Sequence, residues 1–251
     1  MKILGIESAS MVASVAVVTD DVLTAEYTVN FKKTHSQTLL PMIDEVARML
    51  ELDLHTLDAV AVSGGPGSFT GLRIGSATAK GIGLALELPL IHVPTLDAMA
   101  YQIFGTQALI CPIMDARRGQ VYTGLYEFEE QFKVIVPSRA MAVTELAEEL
   151  NERGQRVIFL GDGIPVYREI LEAGLTVPYS FAPAQMNRER AASVAALGAV
   201  YFKNGQTETA QDHRPDYLRK AQAERELEEA RRQGKTAELA AGHSVGTGNS
   251  Q

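Results

Sequence analysis

Ser63-Gly64-Gly65-Pro66-Gly67-Ser68-Phe69-Thr70-Gly71-Leu72-Arg73-Ile74-Gly75 is the stretch on which the fold reading turns. The run before it, Asp58-Ala59-Val60-Ala61-Val62-Ser63, has the apolar, β-branched character of a buried strand. After it, a helix is expected to about residue 86 and a strand at Leu90-Ile91-His92-Val93. A glycine-rich loop between strand and helix can hold an anion on backbone N–H groups and the helix dipole, which makes Gly65, Gly67 and Ser68 candidates for an anion or nucleotide loop. It is not a Walker A loop, because no Lys-Ser/Thr follows the glycines. Nor is it a dinucleotide fingerprint, since Thr70 stands where the third glycine belongs. The same glycines also serve a tight turn that needs positive φ.

The helix that follows is unusual. Gly71, Gly75, Ala79 and Gly83 recur at every fourth position and therefore share a face. A glycine inside a helix costs about 1 kcal/mol relative to alanine, so the stripe needs a reason. Close approach of another element supplies one, either the protein's own sheet or a docked partner helix. Residues 35–50 offer a companion helix, with Leu39, Ile43, Val46 and Leu50 at helical spacing and Met42 and Met49 beside them. Pro41 is expected in that helix's opening turn. A partner interface built from both helices would comprise His35, Leu39, Met42, Ile43, Val46, Gly71, Arg73, Gly75 and Ala79.

Working outward, three β-rich runs fill the first thirty residues and read as an antiparallel meander, so the first half is β-β-β-α-β-α-β-α. The second half repeats β-β-β-α-β-α without obvious identity, with strands on either side of the turn Asp115-Ala116-Arg117-Arg118-Gly119 and a last core helix over 187–204. This order suggests two duplicated lobes, 1–105 and 106–218. Beyond them, 219–251 is expected to be a tail, alternately charged to 235 and rich in small polar residues after that.

Composition removes several classes of function. The chain has 251 residues, 46% hydrophobic and 22% charged, enough to bury a core without metal or disulfide. Its single cysteine, Cys111, forbids an internal disulfide, favours a reducing compartment, and lies in an apolar strand where thiols are inert. No apolar run reaches membrane-spanning length, and Glu7 interrupts the first one too early for a secretory leader, so a cytoplasmic location is expected. With net charge −8, no Trp and 6% aromatic residues, there is no basic stripe or stacking platform for nucleic acid. The five histidines show no metal-ligand spacing and no Gly-x-Ser-x-Gly elbow exists, so no metal and no catalytic residue is expected. Glu7, Asp115 and Asp162 remain as acids at strand ends, able to face a magnesium–phosphate or to be ordinary turn residues.

The Ser63 to Gly75 string, with His35-Ser36-Gln37 and Leu39-Leu40-Pro41 ahead of it, resembles the bacterial TsaB (YeaZ) family. So do Asp115-Ala116-Arg117-Arg118-Gly119-Gln120-Val121-Tyr122 and Pro215-Asp216-Tyr217-Leu218-Arg219. The resemblance implies an α/β, actin-like ATPase (ribonuclease H-like) fold of two lobes, each a mixed sheet flanked by helices. It implies a noncatalytic dimerisation subunit in the formation of threonylcarbamoyladenosine beside the tRNA anticodon. The partners implied are the catalytic paralogue TsaD and the ATPase TsaE, with a homodimer when isolated, tRNA met only through the complex, and no cofactor beyond ATP or ADP in the assembly. Glu7-Ser8-Ala9-Ser10 departs from the aspartate and glycine that usually open the first phosphate loop of this fold, which argues against self-contained ATP hydrolysis. The rival readings are a kinase or acyltransferase of the same fold using Glu7 and Asp115, a glycoprotease-like peptidase, and an adaptor for an unrelated partner.

Overall fold

Strands β1 (Lys2–Glu7), β2 (Val12–Thr19) and β3 (Val22–Asn30) form the expected antiparallel meander. Asp20 and Asp21 link β2 to β3 at φ of 48° and 67°, the left-handed pair that matches the twist of a two-residue hairpin. The computed structural model describes residues 1–32 and 34–218, so the expected tail at 219–251 lies outside the described residues.

The period then changes to helical. Helix α1 (His35–Met49) leads through a short 3-10 turn (Leu54–Thr56) to β4 (Ala59–Gly65), α2 (Phe69–Leu86), β5 (Leu90–Pro94) and α3 (Thr95–Ala100). Pro41 falls in the second turn of α1 rather than the opening one. It sits on an exposed side, where the carbonyl left without its donor can turn to water. The first sheet has the order β3-β2-β1-β4-β5, with β4 and β5 parallel to β1.

The second sheet is built from β6 (Thr106–Arg117), β7 (Gln120–Phe128), β8 (Phe132–Ala142), β9 (Val157–Leu160) and β10 (Tyr179–Phe181). Helices α4 (Val143–Arg153) and α5 (Ile164–Gly174) lie between β8, β9 and β10 in the chain. Its order is β10-β9-β6-β7-β8. Read from the β8 edge, it repeats the first sheet rank for rank, with the same antiparallel and parallel pairings. The fold is the actin-like one implied by the resemblance, two mixed sheets flanked by helices.

One element crosses between the expected lobes. Helix α6 (Ala191–Lys203) follows the second sheet in the chain but packs across β1, β2 and β4 of the first. The division at 105/106 therefore separates the sheets, while the 106–218 segment returns its last helix to the first lobe. Small residues let it approach: a methyl on Gly198 would stand 2.7 Å from Ala61 Cβ, and one on Gly5 would stand 2.5 Å from the Ala191 carbonyl oxygen. Ile3, Ala61, Val93, Val194 and Leu197 close this side, while α1 covers the other with Leu39, Ile43 and Val46 and α2 with Ala79. A further cluster including Leu72, Leu96, Met99, Ile110, Tyr126 and Leu160 draws on elements of both lobes.

Candidate functional site

The residues expected to meet a partner face the interior. Leu39 is 1% exposed, Met42 and Ile43 4%, Val46 5% and His35 8%, and the four apolar ones pack against the first sheet. Burying such side chains within the chain is worth about 1.5–3 kcal/mol each, so they belong to the core rather than to a surface seam. The glycine stripe has an internal reason as well. A methyl on Gly71 would run into the Ser8 carbonyl, and one on Gly75 into the Ser8 hydroxyl, while Ala79 is fully buried. Ser8 Oγ also donates to Gly71 O at 2.9 Å. Within the described chain the turn after β1 approaches the stripe at Gly71 and Gly75, and Leu90 and Ala210 approach it at Gly83. Of the nine positions expected at an interface, Arg73 alone is exposed, its guanidinium 3.8 Å over the Phe69 ring.

The glycine loop is likewise occupied by the protein. Gly65, at φ +119°, carries the Asp216 carbonyl against its α-carbon, and its N–H donates to Thr95 Oγ1 at 3.2 Å. The Ser68 N–H donates to Ala9 O at 2.6 Å, and Gly67 lies against the same Ala9 residue. Ser68 Oγ caps α2 by accepting from Gly71 N at 3.3 Å. Two of the N–H groups expected to hold an anion, those of Gly65 and Ser68, therefore already have partners, and the turn reading prevails over the anion reading.

The strand-end acids do converge. Glu7 ends β1 and is 1% exposed; its Oε1 accepts from Ala9 N at 2.6 Å, while Oε2 is buried without a partner. Burial pushes its carboxyl up to about 7, against the hydrogen bond from Ala9 that holds it down. Glu189, just before α6, is fully buried, with Oε2 accepting from Ser10 Oγ at 2.9 Å and Oε1 unpartnered. Burial first, then the charges of Asp162 and Glu7, raise it to about 8. Asp162 accepts from Asp115 N at 3.1 Å, and burial raises it too, opposed by the Arg188 guanidinium. Asp115 accepts from Tyr167 at 2.7 Å. His35 Nε2 donates to Ser10 O at 2.8 Å, tying α1 to this turn. Beside the cluster lies an open pocket of about 470 Å³, lined in part by Val12, Thr28, Asn187, Arg188, Glu189 and Arg190. The arrangement stores protons near neutrality and locks the turn after β1 against α2.

Glu189 escaped the sequence reading because the last core helix expected over 187–204 makes it a helical residue; the helix begins only at Ala191, and Glu189 lies in the irregular segment before it. A second gathering also escaped it. His92, Glu208 and His213 each offer a ligand atom within 4.8 Å of the others, although their spacing in the chain suggests nothing. Cys111 is buried as expected, its thiol pushed up to about 12 by burial. No described helix is long and apolar enough to cross a membrane.

Comparison with known proteins adds the following. The family described as TsaD: tRNA N6-adenosine threonylcarbamoyltransferase matches residues 26–227. The protein of Bacillus subtilis called tRNA threonylcarbamoyladenosine biosynthesis protein TsaB is 33% identical over 227 residues, covering 89% of this chain and 96% of its own. The Escherichia coli protein of the same name is 30% identical over 235 residues, covering 87% and 95%. Among solved structures, YeaZ from Pseudomonas aeruginosa superposes with a TM-score of 0.74 at 22% identity, over 86% of this chain and 99% of that one. Another, described as similar to peptidase YEAZ from the same organism, gives 0.75 at 23%, over 87% and 99%.

Proposed function

Because the chain belongs to the TsaB family, we propose that it serves threonylcarbamoyladenosine formation in tRNA as a noncatalytic subunit that supports a catalytic partner. The observation that carries this reading is the self-occupied glycine loop. Gly65 and Ser68 spend their N–H groups on Thr95 and Ala9, and the turn after β1 is wedged into the α2 glycine stripe. A glycine loop whose N–H groups bond the protein's own atoms is not free to cradle phosphates, which suits scaffolding better than ATP hydrolysis. TsaD is the partner proposed for transfer, TsaE the ATPase proposed to join them, and ATP or ADP is left to that assembly. The chain itself would need no cofactor, would meet tRNA only through its partners, and would work in the cytoplasm.

We propose the outer side of α2 as the partner surface. Arg73, Ala77, Gly81 and Leu84 share a face and are exposed, and a methyl on Gly81 would meet nothing within 4 Å. This smooth track replaces the buried residues as the docking face for TsaD or for a second copy. Two buried acids near neutral pKa favour the nucleotide-handling rival enough to shape the test.

Threonylcarbamoyl transfer to tRNA should be measured with purified TsaD and TsaE, with and without this chain. Transfer should require the chain, and Glu7→Gln should support it as well as the parent does. Transfer that ignores the chain's omission would overturn the scaffold reading. Saturable ATP binding by the isolated chain, abolished by Glu7→Gln, would instead favour the kinase-like rival.

A further inference from the structure

The segment after α6 returns to the open edge of the first sheet. Leu90 and Glu208 form an antiparallel bridge with reciprocal backbone hydrogen bonds of 2.9 Å, so this strap extends the sheet beyond β5. It is fastened further by Lys80 Nζ, which donates to the Gln211 and His213 carbonyls at 3.3 and 3.2 Å, and by Asp216 N, which donates to Gly64 O at 2.6 Å.

Between strap and sheet lie two imidazoles and a carboxylate. His213 is 1% exposed, with Nδ1 2.7 Å from Glu208 Oε1. An ionised carboxylate can only accept there, so Nδ1 carries the proton and Nε2 keeps its lone pair. That Nε2 is buried and has no partner. Across from it, His92 Nε2 is also without a hydrogen bond, although Asp216 Oδ2 stands 3.3 Å away. The two rings are 5.8 Å apart, and one ligand atom each from His92, Glu208 and His213 falls within a 4.8 Å circle. Ligands on a tetrahedral ion with bonds of about 2.0–2.2 Å are separated by about 3.4 Å, a spacing that requires the Glu208 carboxylate to swing off Nδ1 of His213 and toward the ion on Nε2.

We propose that His92, Glu208 and His213 form a binding site for a divalent transition metal that staples the C-terminal strap to the edge strand β5. Two imidazoles with one carboxylate suit zinc; magnesium and calcium prefer sites made of oxygen. Asp216, beside His92, is placed to complete the shell or to orient it. A bound ion would also hold Asp216 against the Gly64–Gly65 loop, so the metal would set the geometry of the stretch where strand passes into α2. The site stands apart from the buried acids and does not depend on the proposed scaffold role.

The test uses the untagged full chain stripped with chelator. Zinc should bind at one equivalent against a competing chromophoric chelator, and cobalt should give the visible absorption of a low-coordinate site. Zinc in hundredfold excess over Kd should raise Tm by about 5–10 °C. His213→Gln should weaken zinc binding by about a hundredfold or more. If that variant fails to fold, His92→Gln, at a half-buried position, and Glu208→Gln should each show the loss. His55→Gln, on an exposed residue elsewhere, should leave zinc binding unchanged. Absence of binding at micromolar free zinc, or binding undiminished in the His92→Gln/Glu208→Gln double variant, would overturn the proposal. Either result is read without a transfer assay.

Discussion

Glu7 and Glu189 share a turn, and each keeps one oxygen without a hydrogen-bond partner. Their carboxyls hold protons up to about 7 and about 8, whereas the unfolded chain releases them near 4.5. Between those values the native state binds more protons than the unfolded state, so stability falls as pH rises. The contribution of the neutral acids is fully present below about 4.5 and is lost through the folded pKa values. Asp162, raised by the same burial, adds to the slope in the same direction. Glu189→Gln cannot ionise and should remove part of that loss, on the order of 1–3 kcal/mol more stable relative to the parent at pH 8.5 than at pH 5. Thermal melts across this range would test it; parallel curves for parent and variant would show that the acid is not held neutral. Glu7 was legible in the sequence because it ends an apolar strand. Glu189 was not, since only the third dimension brings the segment before α6 to the turn after β1.

A helix has two sides, and periodicity reports which residues share one without reporting what covers it. That is why the spacing of Leu39, Ile43 and Val46, and of Gly71, Gly75 and Ala79, located α1 and α2 but gave their faces to a partner. The covering element is the turn after β1 together with the first sheet, and no local signal links residue 8 to residue 75. The correction reverses what substitutions should do. Ile43→Glu buries a charge among apolar side chains and should cost about 4 kcal/mol or more, unfolding the chain rather than detaching a partner. Gly75→Leu should fail in the same way, because its bulk would have to displace the fully buried Ser8, whose hydroxyl bonds Gly71 O, and press on Val62. Gly81→Ala, one turn and a half farther on and facing open space, should stabilise the isolated chain by about 1 kcal/mol through helix propensity. Chemical denaturation of the three variants checks the assignment. A folded, stable Ile43→Glu chain would return these residues to the surface.

At the scale of the molecule, the repeat of strand order in two sheets was legible because the strand and helix periods repeat in the chain. The destination of α6 was not: its apolar face fits either sheet, and only the meeting of Gly198 with Ala61, and of Gly5 with Ala191 and Ala195, selects the first. The three-residue β10 is too short to leave a period at all. The return of α6 has a thermodynamic consequence. The first sheet lacks a cover on one side until the chain has passed through the second, and a shared cluster that includes Leu96, Met99, Ile110 and Leu160 joins elements of both lobes. The two lobes should therefore unfold as one cooperative unit rather than in sequence. Gly198→Leu places bulk where a methyl already stands 2.7 Å from Ala61 Cβ, an overpacking worth about 1–3 kcal/mol. For a unit of this size that is a fall in Tm of about 2–10 °C. Calorimetry should show a single endotherm for the parent and a single, lower one for the variant. Two endotherms, with only one displaced by the substitution, would mean that α6 stabilises the first lobe alone and that the shared cluster does not couple the halves.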